Sequence, residues 1–208
     1  MSEKHVNYFA LEKACEKPGC PLCTIVSERS VRYIDNMLFE HVSDRGFRSK
    51  YREAGGFCPV HAKNLDSFRD GLAVAILAGD ILADMLVGIK KQKAVKPKAL
   101  CPACEETSRI EREFLGFVSE TSDEHFVAFF TASDGLCVPH YQLMLFHSKK
   151  IPVWIKTFQE AKFESLLART KNFIEFSAWG RQDDFDRLSP KDRIVWKEIA
   201  LVLRGNKD

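Results

Sequence analysis

Cys20-Pro21-Leu22-Cys23, Gly56-Phe57-Cys58-Pro59-Val60-His61, Cys101-Pro102-Ala103-Cys104 and Gly135-Leu136-Cys137-Val138-Pro139-His140 follow one another along the chain, and their order decides its reading. A C-P-x-C string is followed by a C-x-x-H string, twice. The leading cysteines of the two rounds lie 81 residues apart and the third cysteines 79 apart, which marks an internal duplication of about 80 residues. The register takes up six of seven cysteines and two of six histidines, leaving Cys15, His5, His41, His125 and His147 outside it.

Three thiolates and one imidazole make a closed tetrahedral set for zinc, and a two-residue gap within each pair is the usual spacing of structural zinc ligands. The expected ligands are Cys20, Cys23, Cys58, His61, Cys101, Cys104, Cys137 and His140, for two ions. The spacing leaves open whether a site draws both its pairs from one repeat or exchanges them, for example Cys20 and Cys23 with Cys137 and His140. Iron satisfies the same donor sets, and Cys15-x4-Cys20-x2-Cys23 matches the opening of a plant-type iron–sulfur pattern. A thioredoxin-type redox reading of the C-x-x-C strings would leave the C-x-x-H strings unexplained.

Proline directly after Cys20, Cys58 and Cys101 places each cysteine at a helix N-cap and the second ligand one turn on, where both can reach one ion. The free N–H groups and positive dipole end there favour thiolate. Apolar residues recur at helical spacing from Val26 to Val42, from His61 to Lys91 with a break near Gly71, and over Ala103, Thr107, Ile110, Phe114, Phe117 and Val118. Shorter helices are expected over Phe47 to Glu53 and Glu124 to Thr131. Further helices are expected to His147, from Ile151 to Ala178 with Phe163, Leu166, Leu167, Thr170, Phe173 and Ile174 on one face, and from the Ser189-Pro190 cap to Gly205.

The fold class is therefore all-α: duplicated helical units, each with a three-cysteine, one-histidine site at helix N-termini, plus C-terminal helices. Residues 1–95 form the first unit and residues 96–208 the second with its extension, joined by the lysine-rich run Lys90 to Lys98 into one globule.

Thirty-one Lys and Arg against 29 Asp and Glu give no whole-molecule field that would recruit nucleic acid or anionic lipid. The one basic cluster, Lys90 to Lys98, reads first as a solvated linker and only weakly supports nucleic-acid binding. Met1 to Ala14 lacks the apolar run of a secretory leader, so a cytoplasmic location is expected. In the apolar stretch Leu72 to Ile89, Asp80 and Asp84 would each cost about 2.5 to 3.5 kcal/mol at a bilayer centre. That stretch reads as a buried helix, with no membrane partner, and the two acids as a hydrogen-bonded pair or a wet face. His41 reads as a core histidine, and Trp154, Trp179 and Trp196 as packing or interface residues.

The strings C-P-L-C, G-F-C-P-V-H-A, C-P-A-C and G-L-C-V-P-H, with the closing W-K-E-I-A-L-V-L-R-G, resemble a bacterial and archaeal family of unknown function. Some of its members are labelled transporter substrate-binding proteins. The resemblance runs from Cys20 to Gly205 and implies the same eight ligands but no activity. The chain has neither an export signal nor the α/β pattern that the transporter label requires. Four protein ligands leave no open coordination position, and nucleotide, zinc-protease and nucleophile-elbow motifs are missing. The expected role is a non-catalytic zinc scaffold or interaction module for a protein, a second copy or nucleic acid. The alternative is a redox-active iron or iron–sulfur protein or thiol sensor.

Overall fold

Proline suits the first helical position because its φ is already correct and its missing N–H has no intrahelical partner to lose. In the computed structural model, which describes residues 6–63, 65–68, 70–148 and 150–205, helices begin at Pro21, Pro59 and Pro102, directly after the cysteine. The α-helices in chain order are α1 (Val6–Cys15), α2 (Pro21–Asn36), α3 (Arg45–Glu53), α4 (Pro59–Ala62), α5 (Gly71–Lys90), α6 (Pro102–Glu120), α7 (Glu124–Ala132), α8 (Val138–His147), α9 (Val153–Phe176), α10 (Gln182–Arg187) and α11 (Val195–Arg204). The described residues include no strand. A wider π-type turn, Met37–His41, extends α2, and a 3₁₀ turn, Asp192–Ile194, leads into α11. Neither α1 nor α10 carried enough periodic apolar signal to be foreseen. His5 and part of the Met1 to Ala14 segment lie outside the described residues.

Contacts divide the described residues into two compact units, one drawn from 6–25 and 111–205 and the other from 26–110. These interleave the two sequence repeats. In the first unit, α1 packs on α7, while α11 packs on α8 and α9. Its core is aromatic: Phe114, Phe126 and Phe130 are fully buried, and Trp154 meets Phe126 and Phe130 edge-on. Such edge-to-face pairs add roughly 0.5 to 1.5 kcal/mol beyond area burial. The Tyr8 hydroxyl lies 2.6 Å from His125 Nδ1 and donates to Asp123 at 3.2 Å, tying α1 to the start of α7.

The second unit surrounds Ile34, Leu38, Tyr51, Phe57, Ala73 and Leu77, with Cys101 and Ala103 in the same cluster. Asp44 and Asp70 cap α3 and α5 by accepting from Phe47 N–H and Ala73 N–H, each an orphan donor of a first turn. Across the α3–α5 contact, Arg48 donates from Nε and Nη2 to Asp80 at 2.7 and 2.6 Å, and one turn on, Arg52 makes the same fork to Asp84. The two acids are therefore a salt-bridged ladder.

Several burial expectations are corrected. Helix α5 is long and apolar enough by composition to cross a membrane, yet it is mostly exposed, with only Ala73, Leu77 and Gly88 buried. The ladder accompanies this: α3 meets α5 on the face carrying Asp80 and Asp84, which leaves Leu72, Leu82 and Leu86 outside. The His41 side chain is 42% exposed, because the wider turn at the end of α2 swings it out of the stripe, against Phe47. Leu167 and Ile174 are exposed on α9, whose buried residues are Ile155 and Gln159. Trp154 packs as expected, whereas Trp179 is fully exposed and Trp196 half so.

Hydrogen bonds from Arg48 and Arg52 hold the Asp80 and Asp84 carboxyls below their ordinary range. A depressed folded pKa contributes stability that is present above the unfolded value and lost as pH falls through the folded one. The stability gap between wild type and Asp80→Asn, read by urea unfolding, is expected to be widest near neutral pH and to close below about pH 4.

Candidate metal centres

Each of the four strings places two side chains on the first turn of a helix. Cys58 and Cys137 occupy the N-caps of α4 and α8 in extended conformation, and Cys20 and Cys101 immediately precede α2 and α6. The second member of each pair lies three residues on, on the same side of the helix start.

The pairs are exchanged between repeats. Cys20 and Cys23 meet Cys137 and His140 in the first unit, and Cys58 and His61 meet Cys101 and Cys104 in the second; within each quartet the ligand atoms all lie within 4.8 Å of one another. Each group could hold a metal ion. In the first quartet His140 Nδ1 is 3.4 Å from Cys20 Sγ, 3.4 Å from Cys23 Sγ and 3.2 Å from Cys137 Sγ, and Cys23 and Cys137 sulfurs are 3.7 Å apart. In the second, His61 Nδ1 is 3.3, 3.6 and 3.4 Å from the sulfurs of Cys58, Cys101 and Cys104, and Cys58 and Cys104 are 3.6 Å apart. A tetrahedral ion with metal–sulfur bonds near 2.3 Å and a metal–nitrogen bond near 2.0 Å demands roughly 3.7 Å between sulfurs and roughly 3.5 Å between sulfur and nitrogen. The quartets meet that demand before any ion is considered.

Both histidines turn Nδ1 to the quartet and Nε2 outward. His140 Nε2 faces a carboxylate oxygen of Glu111 at 3.3 Å, and His61 Nε2 faces the Thr107 hydroxyl at 3.5 Å. Such partners fix the tautomer that leaves Nδ1 free to ligate. Sequence pattern did not single out Glu111 and read Thr107 only as part of a core stripe, although each lies on the helix that Cys101 and Cys104 begin.

Without a cation, the donors compete for protons. Hydrogen bonds from Cys137 and Cys20 hold the Cys23 thiol far below its ordinary value, while burial, then Cys137 and Cys23, push Cys20 up. His140 is drawn down by burial but lifted further by Cys137, Cys23 and Glu111, to about 11. In the second quartet burial acts to raise Cys58, and the backbone N–H groups of His61 and Val60 together with the neighbouring thiols outweigh it, so the thiol stays low. Burial and the Cys58 sulfur raise Cys104 to about 12. Cys23 and Cys58 are therefore the sulfurs most readily ionised, and ligation of a cation would require Cys20 and Cys104 to give up their protons as well.

The two differ in shelter. All four residues of the first quartet are buried, whereas in the second only Cys101 is. Gly205, the left-handed residue closing α11, helps seal the first: an added Cβ would lie 3.1 Å from Cys23 Sγ and 3.2 Å from Cys137 Sγ. The sequence showed Gly205 only as a helix stop. Arg169 of α9 anchors α11 by donating to Asp192 at 2.6 Å and to Glu198 at 2.9 Å. Gln159, only 1% exposed, accepts from Leu136 N–H and donates to Leu136 C=O, both at 2.9 Å, so its amide sets the loop that delivers Cys137. Cys15 belongs to neither quartet; burial raises its thiol to about 12 against a hydrogen bond with Ser133. The ferredoxin-like opening spacing thus corresponds to no shared site. None of the seven cysteines forms a disulfide.

The described residues form an all-helical chain carrying two Cys₃His clusters that could hold metal ions. Residues 1–175 match the model of a family of unknown function (DUF6062), and the chain belongs to that family. The match stops short of the closing Trp196 to Gly205 segment that the sequence reading had included. The chain is also similar to an uncharacterized 23.9 kDa protein in the xynA 3′ region of Caldicellulosiruptor sp. (strain Rt8B.4), at 27% identity over 165 residues, covering 75% of this chain and 79% of the relative. No solved structure matches it.

Removing the Gln159 amide strands two buried backbone groups. Gln159→Leu is expected to cost about 2 to 4 kcal/mol in urea unfolding. Gly205→Ala is expected to weaken metal retention at the Cys20 quartet and leave the Cys58 quartet unchanged. Release to a chromophoric chelator would show this as acceleration of the slow phase alone, the slow phase being the buried quartet.

Proposed function

We propose that the protein is a cytoplasmic, non-catalytic zinc-binding scaffold in which two structural zinc ions fasten helix N-termini together and so shape surfaces for a protein or nucleic-acid partner. One observation carries this reading: each quartet presents four protein donors at tetrahedral spacing, with the imidazole fixed from behind. Three thiolates and a neutral imidazole around a divalent zinc give a closed site of net charge about −1. Such a site has no open position for activating water or polarising a carbonyl. Helix N-termini suit that residual charge, since their N–H groups and dipoles stabilise sulfur anions. Cysteines that form no disulfide fit a reducing compartment, where thiolates are available to metal.

Zinc's role here would be thermodynamic. Structural zinc contributes roughly 10 to 16 kcal/mol of apparent binding energy in small peptides, comparable to the whole stability of a domain. Elemental analysis of protein purified without added metal is expected to give two zinc ions per chain and no visible absorption. Iron with thiolate-to-metal absorption bands would transfer the protein to the redox class. Chelation is expected to lower the melting temperature cooperatively. Cys58→Ser should cost far more stability than Cys15→Ser, and equal melting temperatures for the two variants would contradict the assignment.

A further inference from the structure

The solvent side of α5 has the composition of a protein interior. Leu72, Leu82, Leu86 and Ile89 are 73, 62, 55 and 65% exposed, with Met85 and Val87 beside them. Ala75, Gly79 and Ala83, also exposed, run between the leucines at four-residue intervals. Every charge within the helix before Lys90 points the other way, because Asp80 and Asp84 are engaged by Arg48 and Arg52. A continuous apolar strip of this length on a soluble unit marks a surface that is covered in the working protein.

We propose that the cover is α5 of a second copy of this chain, packed antiparallel about a two-fold axis near Gly79 and Leu82. Charge placement selects this occupant and direction. The exposed Lys90, Lys91 and Lys93 stand together at the end of the helix, whereas at its start the sequence balances Asp66 and the N-cap Asp70 with Lys63 and Arg69. Antiparallel pairing keeps the two lysine clusters apart, sets each beside the near-neutral start of the other copy, twice by symmetry, and opposes the two helix dipoles. Parallel pairing would set like charges together.

Gly79 makes an independent case. An added Cβ there would meet nothing within 4 Å, and its φ is not among the positive values, so the chain's own packing has no use for a glycine. In mid-helix it costs roughly 1 kcal/mol relative to alanine. At the crossing point of two helices, glycine flanked by Ala75 and Ala83 lets the backbones approach to the near end of the 8 to 10 Å interaxial range. The strip also lacks a feature of many bilayer-seated helices: it carries no aromatic residue, and the acids beside it are neutralised by Arg48 and Arg52.

The test is sedimentation of the metal-loaded full chain. Wild type is expected to be a dimer. Leu82→Lys, at an exposed position, should be a monomer with unchanged helix content and metal content. Lys90→Glu combined with Lys91→Glu should weaken the dimer roughly tenfold or more, and adding Asp66→Lys should restore it. A wild-type protein that stays monomeric, or a dimer untouched by Leu82→Lys, would overturn the proposal. So would a monomer that floats with phosphatidylglycerol vesicles through α5, which would give the strip to a lipid surface.

Discussion

Sulfur atoms drawn to within van der Waals distance of one another cannot all be ionised unless a cation sits among them. That constraint organises this protein. Four helix starts aim thiols and imidazoles at two points, where crowding holds the Cys23 thiol low and pushes Cys20 and Cys104 up. The surrounding structure serves the same two points. Glu111 and Thr107 orient the imidazoles, the Gln159 amide holds the loop before Cys137, and the turn at Gly205 closes over the buried sulfurs. None of these groups is a ligand, and each restricts what a ligand can do.

Much of this was legible from residue order. A cysteine followed by proline is a strong local instruction, since the ring fixes φ and the thiol is left at the cap, and those helix starts fell where the strings put them. The eight candidate donors were legible because their spacing repeats. Their partnership was not: a duplicated sequence allows pairs to combine within or across repeats, and only three-dimensional packing chose exchange. The roles of Glu111, Gln159 and Thr107, the last read only as a core-stripe residue, were hidden for a related reason. Each acts across a sequence separation that no periodicity reports, 23 residues in the case of Gln159 and Leu136.

Helix α5 was misread for a more instructive reason. An apolar run with two acids spaced one turn apart has a wet side and a dry side, and sequence gives no rule for which side meets the rest of the chain. Here Arg48 and Arg52 settle it, because their forks match carboxylates spaced by the same single turn. The unit thus sacrifices burial of leucines for a paired ionic seam. His41 and Ile174 show the smaller version of the same limit, where a wider turn or a small rotation of the stripe moves one residue outward.

Exchange of ligands also has a temporal consequence. The Cys58 quartet joins residues 46 apart in the chain, while the Cys20 quartet joins residues 120 apart and encloses the other. Closing the long ring around an unstructured interior would cost about 1 kcal/mol more entropy than closing the short one. Once the inner ring is fastened, the span left to be gathered shrinks, and the penalty for the outer falls with it. Loop entropy thereby favours fastening the inner ring before the outer one, over whose sulfurs Gly205 lies.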